Sequence, residues 1–386
     1  RHGVDTLFAL PGYQNDALFD ALYDARGAIQ VVHTRHEQGA AYMAYGYAKS
    51  TGKVGAYLVV PGPGLLNTTA ALATAYATNA RVLCLSGQIP LNRIGQGFGM
   101  VHEIPDQLAI MRGLTKWAAR IEHPTQTPTV VDEAFKQLLT GRPRPVGLEI
   151  PMDVLALETE VTLSEPAPLR SSRAADGALD PQAITRAAEL LGKAERPLIF
   201  VGSGADDAGK ELLAVAEMLQ APVVSVSSGK GIISDRHALA LNLHGGHRLW
   251  PDADVVLAVG TRLQEPLDDW GVDERLSLIR IDIDPVEIQR IHPPTVGIVA
   301  DARDGLAALC DALPQRNRQR ASREAELRAL KQELRAEYAE FTPQFEYAMA
   351  IRETLPDDGF FVDEMTQVGH VASFAFPVYQ PRTYVS

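Results

Sequence analysis

Short runs rich in Val, Ile and Leu alternate with stretches of helical spacing along almost the whole chain. This alternation is the strongest constraint on the fold. Strands separated by helices pair in parallel, and a parallel sheet must be covered on both faces. From the start to about residue 165 the strand candidates are Thr6–Leu10, Ile29–His33, Val54–Val60, Arg81–Ser86, Trp117–Ile121 and Val146–Ile150, with amphipathic stretches such as Asp16–Tyr23 between them. A Pro-, Ser- and Ala-containing connector from Leu163 to about Gly177 marks a domain boundary. A second region, 180–313, opens with Asp180 as N-cap and Pro181 at the first helical position. Its strand candidates are Pro197–Val201, Pro222–Val226, Val255–Val259, Leu278–Ile281 and Val296–Val299. A charged helix over about 323–341 follows, with Leu327, Leu330, Leu334 and Tyr338 on one stripe. A third region, 343–386, carries a strand at 360–362 and is shorter than the usual ~100–150 residues of a domain. The expected class is α/β, a succession of doubly wound parallel-sheet domains.

Composition narrows the partners. Lys+Arg 36 against Asp+Glu 48 gives a net charge of −12, which argues against a nucleic acid or an anionic membrane. No apolar run approaches the ~20 residues of a bilayer span. Cys84 and Cys310 are the sole cysteines, so neither a disulfide framework nor a multi-cysteine metal site is expected. Cys84, within Val82-Leu83-Cys84-Leu85, reads as a core residue. No signal peptide is apparent, and a cytoplasmic location is the default expectation.

In open parallel sheets, ligands bind outside the carboxyl ends of the strands. Pro11-Gly12-Tyr13, Thr34-Arg35-His36-Glu37 and Pro61-Gly62-Pro63-Gly64 fall there. Thr34 and Glu37 have the spacing of a capping box. A carboxylate at a helix start also gains from the positive end of the dipole, and if buried it can hold or share a proton. The Pro-Gly turn lacks the lysine of a P-loop, and its glycines suit a close backbone approach to a ligand. The glycine-rich loop Ile94–Glu103 reads as a wall of the same site, with His102 and Glu103 as candidate proton-transfer groups. No metal-ligand set is apparent. Gly202-Ser203-Gly204, with Asp282 and Asp284 at a later strand end, hints at a nucleotide, but Gly209 is two places too far along for the dinucleotide fingerprint.

Glu37 within Arg35-His36-Glu37-Gln38-Gly39-Ala40-Ala41, Gly46-Tyr47-Ala48, Gly62-Pro63-Gly64-x-x-Asn67, Gly87-Gln88, Thr115-Lys116 and Asp282-Ile283-Asp284-Pro285 come in the order seen in thiamine-diphosphate enzymes. The chain resembles the acetolactate synthase group among them. The resemblance implies a pyrimidine-binding domain over 1–165, a central domain over 180–313 that in some relatives holds FAD or ADP, and the start of a diphosphate-binding domain over 343–386. It implies that Glu37 hydrogen-bonds a ring nitrogen of the aminopyrimidine. Pro11, Gly12, Tyr13, Val60, Pro63, Gly64, Asn67 and Gln88 would lie around the cofactor, and Thr366 and Gln367 against its diphosphate. Mg²⁺ would be held by a Gly-Asp-Gly…Asn segment expected beyond Ser386. The implied reaction is decarboxylation of a small 2-oxo acid, with or without addition to a second acceptor, in a homodimer or homotetramer.

The departures bear on the substrate. Val101-His102-Glu103 stands for Phe-Gln-Glu, Met152 for a lysine, and Pro266 for the arginine that helps receive the second 2-oxo acid. Three readings therefore stay open: a carboligating lyase, with His102 in a proton transfer of its own; a plain 2-oxo-acid decarboxylase; and a non-catalytic protein using the central domain to bind a nucleotide.

Overall fold

The computed structural model describes residues 1–163 and 179–386. The connector expected between the first two regions lies, from residue 164 on, outside the described residues. The chain divides into two compact units, 1–172 and 173–386.

The first unit is built on a six-stranded parallel sheet: β1 Thr6–Ala9, β2 Gln30–His33, β3 Gly55–Val59, β4 Val82–Gln88, β5 Trp117–Arg120 and β6 Val146–Pro151. The strand order is β2-β1-β3-β4-β6-β5, every pairing parallel. Helices α1 Asp16–Asp24, α2 Glu37–Thr51, α3 Pro63–Leu66, α4 Thr69–Ala77, α5 Gln107–Leu114 and α6 Thr127–Leu139 fill the connections. One face of the sheet buries Leu7, Leu58, Leu83 and Leu148 with Phe135 and Leu138 of α6. Ala40, Ala41, Ala44 and Tyr45 of α2 are also buried. Small residues let that helix come close: a β-carbon on Gly55 would strike the Ala44 carbonyl. β2 and β3 lie on opposite sides of β1, so the order reverses at β1. A crevice outside the carboxyl ends of β1 and β3 follows from that reversal.

The second unit repeats the architecture with β7 Pro197–Val201, β8 Val223–Ser225, β9 Ala240–Asn242, β10 Val255–Val259, β11 Ser277–Asp282 and β12 Val296–Val299, in the order β12-β11-β10-β7-β8-β9. The sequence reading missed β9, a three-residue edge strand with no alternation of its own. Asp180 caps its helix as expected, accepting from the Gln182 N–H. The charged helix runs Glu324–Tyr338 and buries Leu327, Leu334 and Tyr338. The segment 343–386 clusters with this unit and carries a short parallel pair, β13 Phe361–Val362 and β14 Tyr384–Val385. The Lys230 ammonium, buried, donates to the Ala372 and Ser373 carbonyls at 3.1 and 2.9 Å. Burial pulls its pKa down to about 8.

The glycine pair after β7 has a packing role. A β-carbon on Gly204 would lie 2.6 Å from the Cα of Gly260, which follows β10, so the two loops touch through their backbones. Asp284 caps the next helical turn through the Val286 N–H, and Asp282 accepts from the Asp284 N–H.

Cys84 is fully buried, and burial pushes its thiol up to about 12. Native protein should therefore react with a thiol reagent through Cys310 and leave Cys84 unmodified until denaturant is added. Modification of Cys84 under native conditions, read by peptide mass spectrometry, would contradict this core.

Candidate functional site

The loops after β1 and β3 meet at one valine. Val60 lies between two glycines: a β-carbon on Gly12 would sit 2.5 Å from one of its methyls, and a β-carbon on Gly64 2.6 Å from the other. Only glycine allows this three-layer contact, so the backbones after β1 and β3 lock together around an apolar side chain. Gly62 has φ +56° and faces the His102 carbonyl, so the Pro-Gly turn needs glycine there for both conformation and space.

Glu37 stands over this floor as the first residue of α2. The expected capping box does not form. His36 is the N-cap, its Nδ1 accepting from the Gln38 N–H at 3.1 Å, and the Thr34 hydroxyl donates instead to the His36 carbonyl. Thr34 lies two residues before the cap, too early to reach the orphan N–H groups. The Glu37 carboxylate is thereby left for another partner. Its Oε2 accepts from Asn67 Nδ2 at 2.9 Å, while Oε1 faces the Gly64 side. Among the described residues no donor is set against Oε1. A half-exposed carboxylate, oriented through one oxygen and open at the other, can hold a proton toward a ligand at the strand ends.

His102 flanks the same turn. Its backbone is left-handed, φ +69°, a conformation that costs a non-glycine residue about 1–3 kcal/mol and persists where surrounding contacts impose it. Its Nδ1 lies 2.9 Å from Gln14 Oε1. Glu103 is committed to its own loop, accepting from the Gly97 and Met100 N–H groups at 3.0 and 2.8 Å. Tyr13 is 67% exposed beside Gly12.

Gln88 is placed differently from the other candidates. Its side chain points into the unit: Nε2 donates to Glu149 at 3.1 Å and Oε1 accepts from the Ile89 N–H. It belongs to a buried network that sequence reasoning missed. Glu149, 0% exposed, also accepts from Arg120 and, at 2.9 Å, from Gln107 Nε2. Gln107 Oε1 in turn accepts from the Gly62 N–H at 2.8 Å. A buried charge thus reaches the Pro-Gly turn through one amide. The available signal was Glu149 itself, an acid in the middle of the apolar strand run Val146–Ile150; nothing in the sequence marked Gln107 or Gln14.

Thr366 and Gln367 lie in the second unit. The Thr366 hydroxyl caps the helix Gln367–Ala375 through the Gly369 N–H, and Gln367 Oε1 accepts from Gln344. No group of three His, Cys, Asp or Glu residues among those described is arranged to hold a metal ion. Among the described residues no helix is long and apolar enough to cross a membrane.

Residues 1–110 match the family described as thiamine pyrophosphate enzyme, N-terminal TPP binding domain, and residues 184–309 match its central domain. A protein described as a probable 2-ketoarginine decarboxylase, from Pseudomonas aeruginosa, is 36% identical over all of this chain, which covers 69% of that protein. The chain belongs to the thiamine pyrophosphate enzyme family. An acetolactate synthase of Arthrospira platensis is 36% identical over 79% of the chain and 55% of its own length. Acetolactate synthase isozyme 1 large subunit of Escherichia coli is 27% identical over the whole chain and 69% of its own length. The chain thus spans between about half and two thirds of these relatives. In a thiamine pyrophosphate enzyme the cofactor's flat ring needs a close, largely apolar floor and an acid beside it. The Gly12–Val60–Gly64 sandwich and the Glu37–Asn67 pair fit that demand.

Arg120→Met leaves Glu149 buried without its cation and should cost about 3–5 kcal/mol in urea unfolding. Adding Glu149→Gln should recover much of that loss, because no buried charge then remains unpaired. Additive losses in the double variant would show that the pair is not coupled.

Proposed function

We propose that this protein is a thiamine-diphosphate-dependent enzyme that decarboxylates a small 2-oxo acid. The observation that carries the reading is the Glu37 carboxylate, fixed by Asn67 above the Gly12–Val60–Gly64 floor. When bound, the cofactor supplies the electron sink for the charge left by the departing CO₂. Glu37 Oε1 would hold a proton toward a ring nitrogen of the aminopyrimidine, with Asn67 orienting the carboxylate through Oε2. Val60 would give the ring apolar support, and Pro11, Gly12, Tyr13, Pro63 and Gly64 would line the approach to it. Gln88 acts from behind, through Glu149. His102 exchanges a proton with the substrate.

The reading assigns 1–165 to pyrimidine binding, 180–313 to a central domain and 343–386 to the start of a diphosphate-binding domain. Thr366 and Gln367, at a helix N-terminus, are suited to an anionic diphosphate. Mg²⁺ is included as its counter-ion, although the Gly-Asp-Gly…Asn motif expected for it is not among these 386 residues. A homodimer or homotetramer and a cytoplasmic location complete the reading. FAD or ADP in the central domain is not part of this reading: Gly209 falls two places beyond the dinucleotide fingerprint, and Gly204 packs against Gly260.

A specific observation favours decarboxylation without carboligation. Pro266 occupies the position where an arginine clamp for a second 2-oxo acid is expected, and it is buried at the start of a π-helical turn, Pro266–Trp270. Proline can offer no bidentate carboxylate contact.

Titration calorimetry of thiamine diphosphate into full-length protein should show binding that requires Mg²⁺. Glu37→Gln should keep that binding and lower turnover at least a hundredfold. Near-normal turnover of Glu37→Gln would remove Glu37 from the reaction. Binding of ADP or FAD without thiamine diphosphate would replace this reading with the nucleotide-binding one. An aldehyde as sole product, with a second 2-oxo acid present, is the expected outcome of the product assay; a 2-hydroxy-3-oxo acid would restore carboligation.

A further inference from the structure

Decarboxylation of a 2-oxo acid to an aldehyde replaces the lost carboxylate by a proton. A group must therefore load a proton from solvent and hold it at a defined atom. An imidazole does this well only if one nitrogen is kept for the transfer and the other is tied to the protein.

The ring of His102 is tied at Nδ1. Its neighbour Gln14 is buried, and both ends of its amide are used: Nε2 lies 3.1 Å from the Val101 carbonyl oxygen, and Oε1 lies 2.9 Å from His102 Nδ1. A carbonyl oxygen can only accept, so the amide nitrogen of Gln14 must face Val101. The amide oxygen then faces His102, and an amide oxygen can likewise only accept. His102 Nδ1 must carry the hydrogen. The sole unsaturated nitrogen left in the neutral ring is Nε2. The same loop is held from its other side, where the His102 carbonyl packs on Gly62 of the Pro-Gly turn. The ring is thus anchored by its backbone to the turn below Glu37 and by its side chain to the loop after β1.

We propose that Gln14 is a positioning residue that fixes His102 as the Nδ1–H tautomer, so that Nε2 is the atom that takes up and delivers the proton. The inference rests on the proposed role of His102 in the reaction, but the tautomer itself does not. On protonation at Nε2 the ring becomes imidazolium and keeps its Nδ1–H bond to Gln14. On delivery it returns to the same tautomer, so no ring flip or tautomer exchange interrupts the cycle.

The test uses full-length protein with ¹⁵N-labelled histidine, the His102 signals being assigned by their loss in His102→Asn. In neutral His102 of the unaltered protein, Nδ1 should give a pyrrole-type and Nε2 a pyridine-type resonance, the reverse of the intrinsic preference of a free histidine side chain. Gln14→Leu should shift the pattern toward Nε2–H, whereas Gln14→Glu, which keeps an acceptor at the ring, should retain Nδ1–H. Turnover should fall about tenfold or more in Gln14→Leu and clearly less in Gln14→Glu, which keeps the acceptor at the ring but loses the donor to the Val101 carbonyl, with thiamine diphosphate affinity unchanged in both. An Nε2–H ring in the unaltered protein, or a pattern indifferent to Gln14→Leu, would overturn the inference whatever the turnover. A protein that shows the expected tautomers but neither binds thiamine diphosphate nor turns over a 2-oxo acid would instead overturn the functional reading. Loss of turnover in Gln14→Leu with equal loss in Gln14→Glu would reduce Gln14 to a packing residue.

Discussion

Glu149 carries a carboxylate into the interior of a parallel sheet, and much of the first unit is arranged to satisfy it. A buried charge must be paired and hydrogen-bonded or the fold is lost. Arg120, on the neighbouring edge strand β5, supplies the opposite charge, and the amides of Gln88 and Gln107 supply further donors. The consequence is felt at the surface. The Gln107 amide donates inward with its nitrogen, so its oxygen points outward to the Gly62 N–H. The turn that floors the site is held by a bond whose direction is set by a charge in the core.

The same logic of two-ended amides recurs at Gln14, whose nitrogen is committed to a backbone carbonyl and whose oxygen is therefore committed to His102. Asn67 turns a donor toward Glu37. Amides carry no charge, but each has one donor end and one acceptor end, so a single fixed neighbour settles what the other end can meet. At Gln107 and Gln14 they transmit orientation from the core and the backbone to the Pro-Gly turn and to His102.

The two sheets make opposite use of the same topology. Each reverses its strand order, in the first unit at β1 and β3 and in the second at β7 and β10. In the first, glycines close around the Val60 side chain and leave a carboxylate above it. In the second, Gly204 meets Gly260 directly, backbone on backbone. At the one switch point the glycines enclose a side chain, and at the other they touch each other. A glycine pair in the sequence cannot distinguish them, because glycine serves close approach of any kind.

The sequence by itself determined the two α/β sheets, most strand positions, the buried Cys84, the acid at the start of α2 and the family. These follow from local spacing and from runs of residue type, which survive without knowledge of the neighbours. Thr34 and Glu37 show the limit: the spacing of a capping box was present, yet His36 took the cap and released Glu37 to Asn67, thirty positions away in the chain. Gln88 was legible as a residue at a strand end, but its inward turn depends on Glu149 across the β4–β6 pairing. Tertiary structure alone decided which polar groups face the site and which serve the core. That choice is made by long-range hydrogen bonds and buried charge, and neither leaves a local period in the sequence.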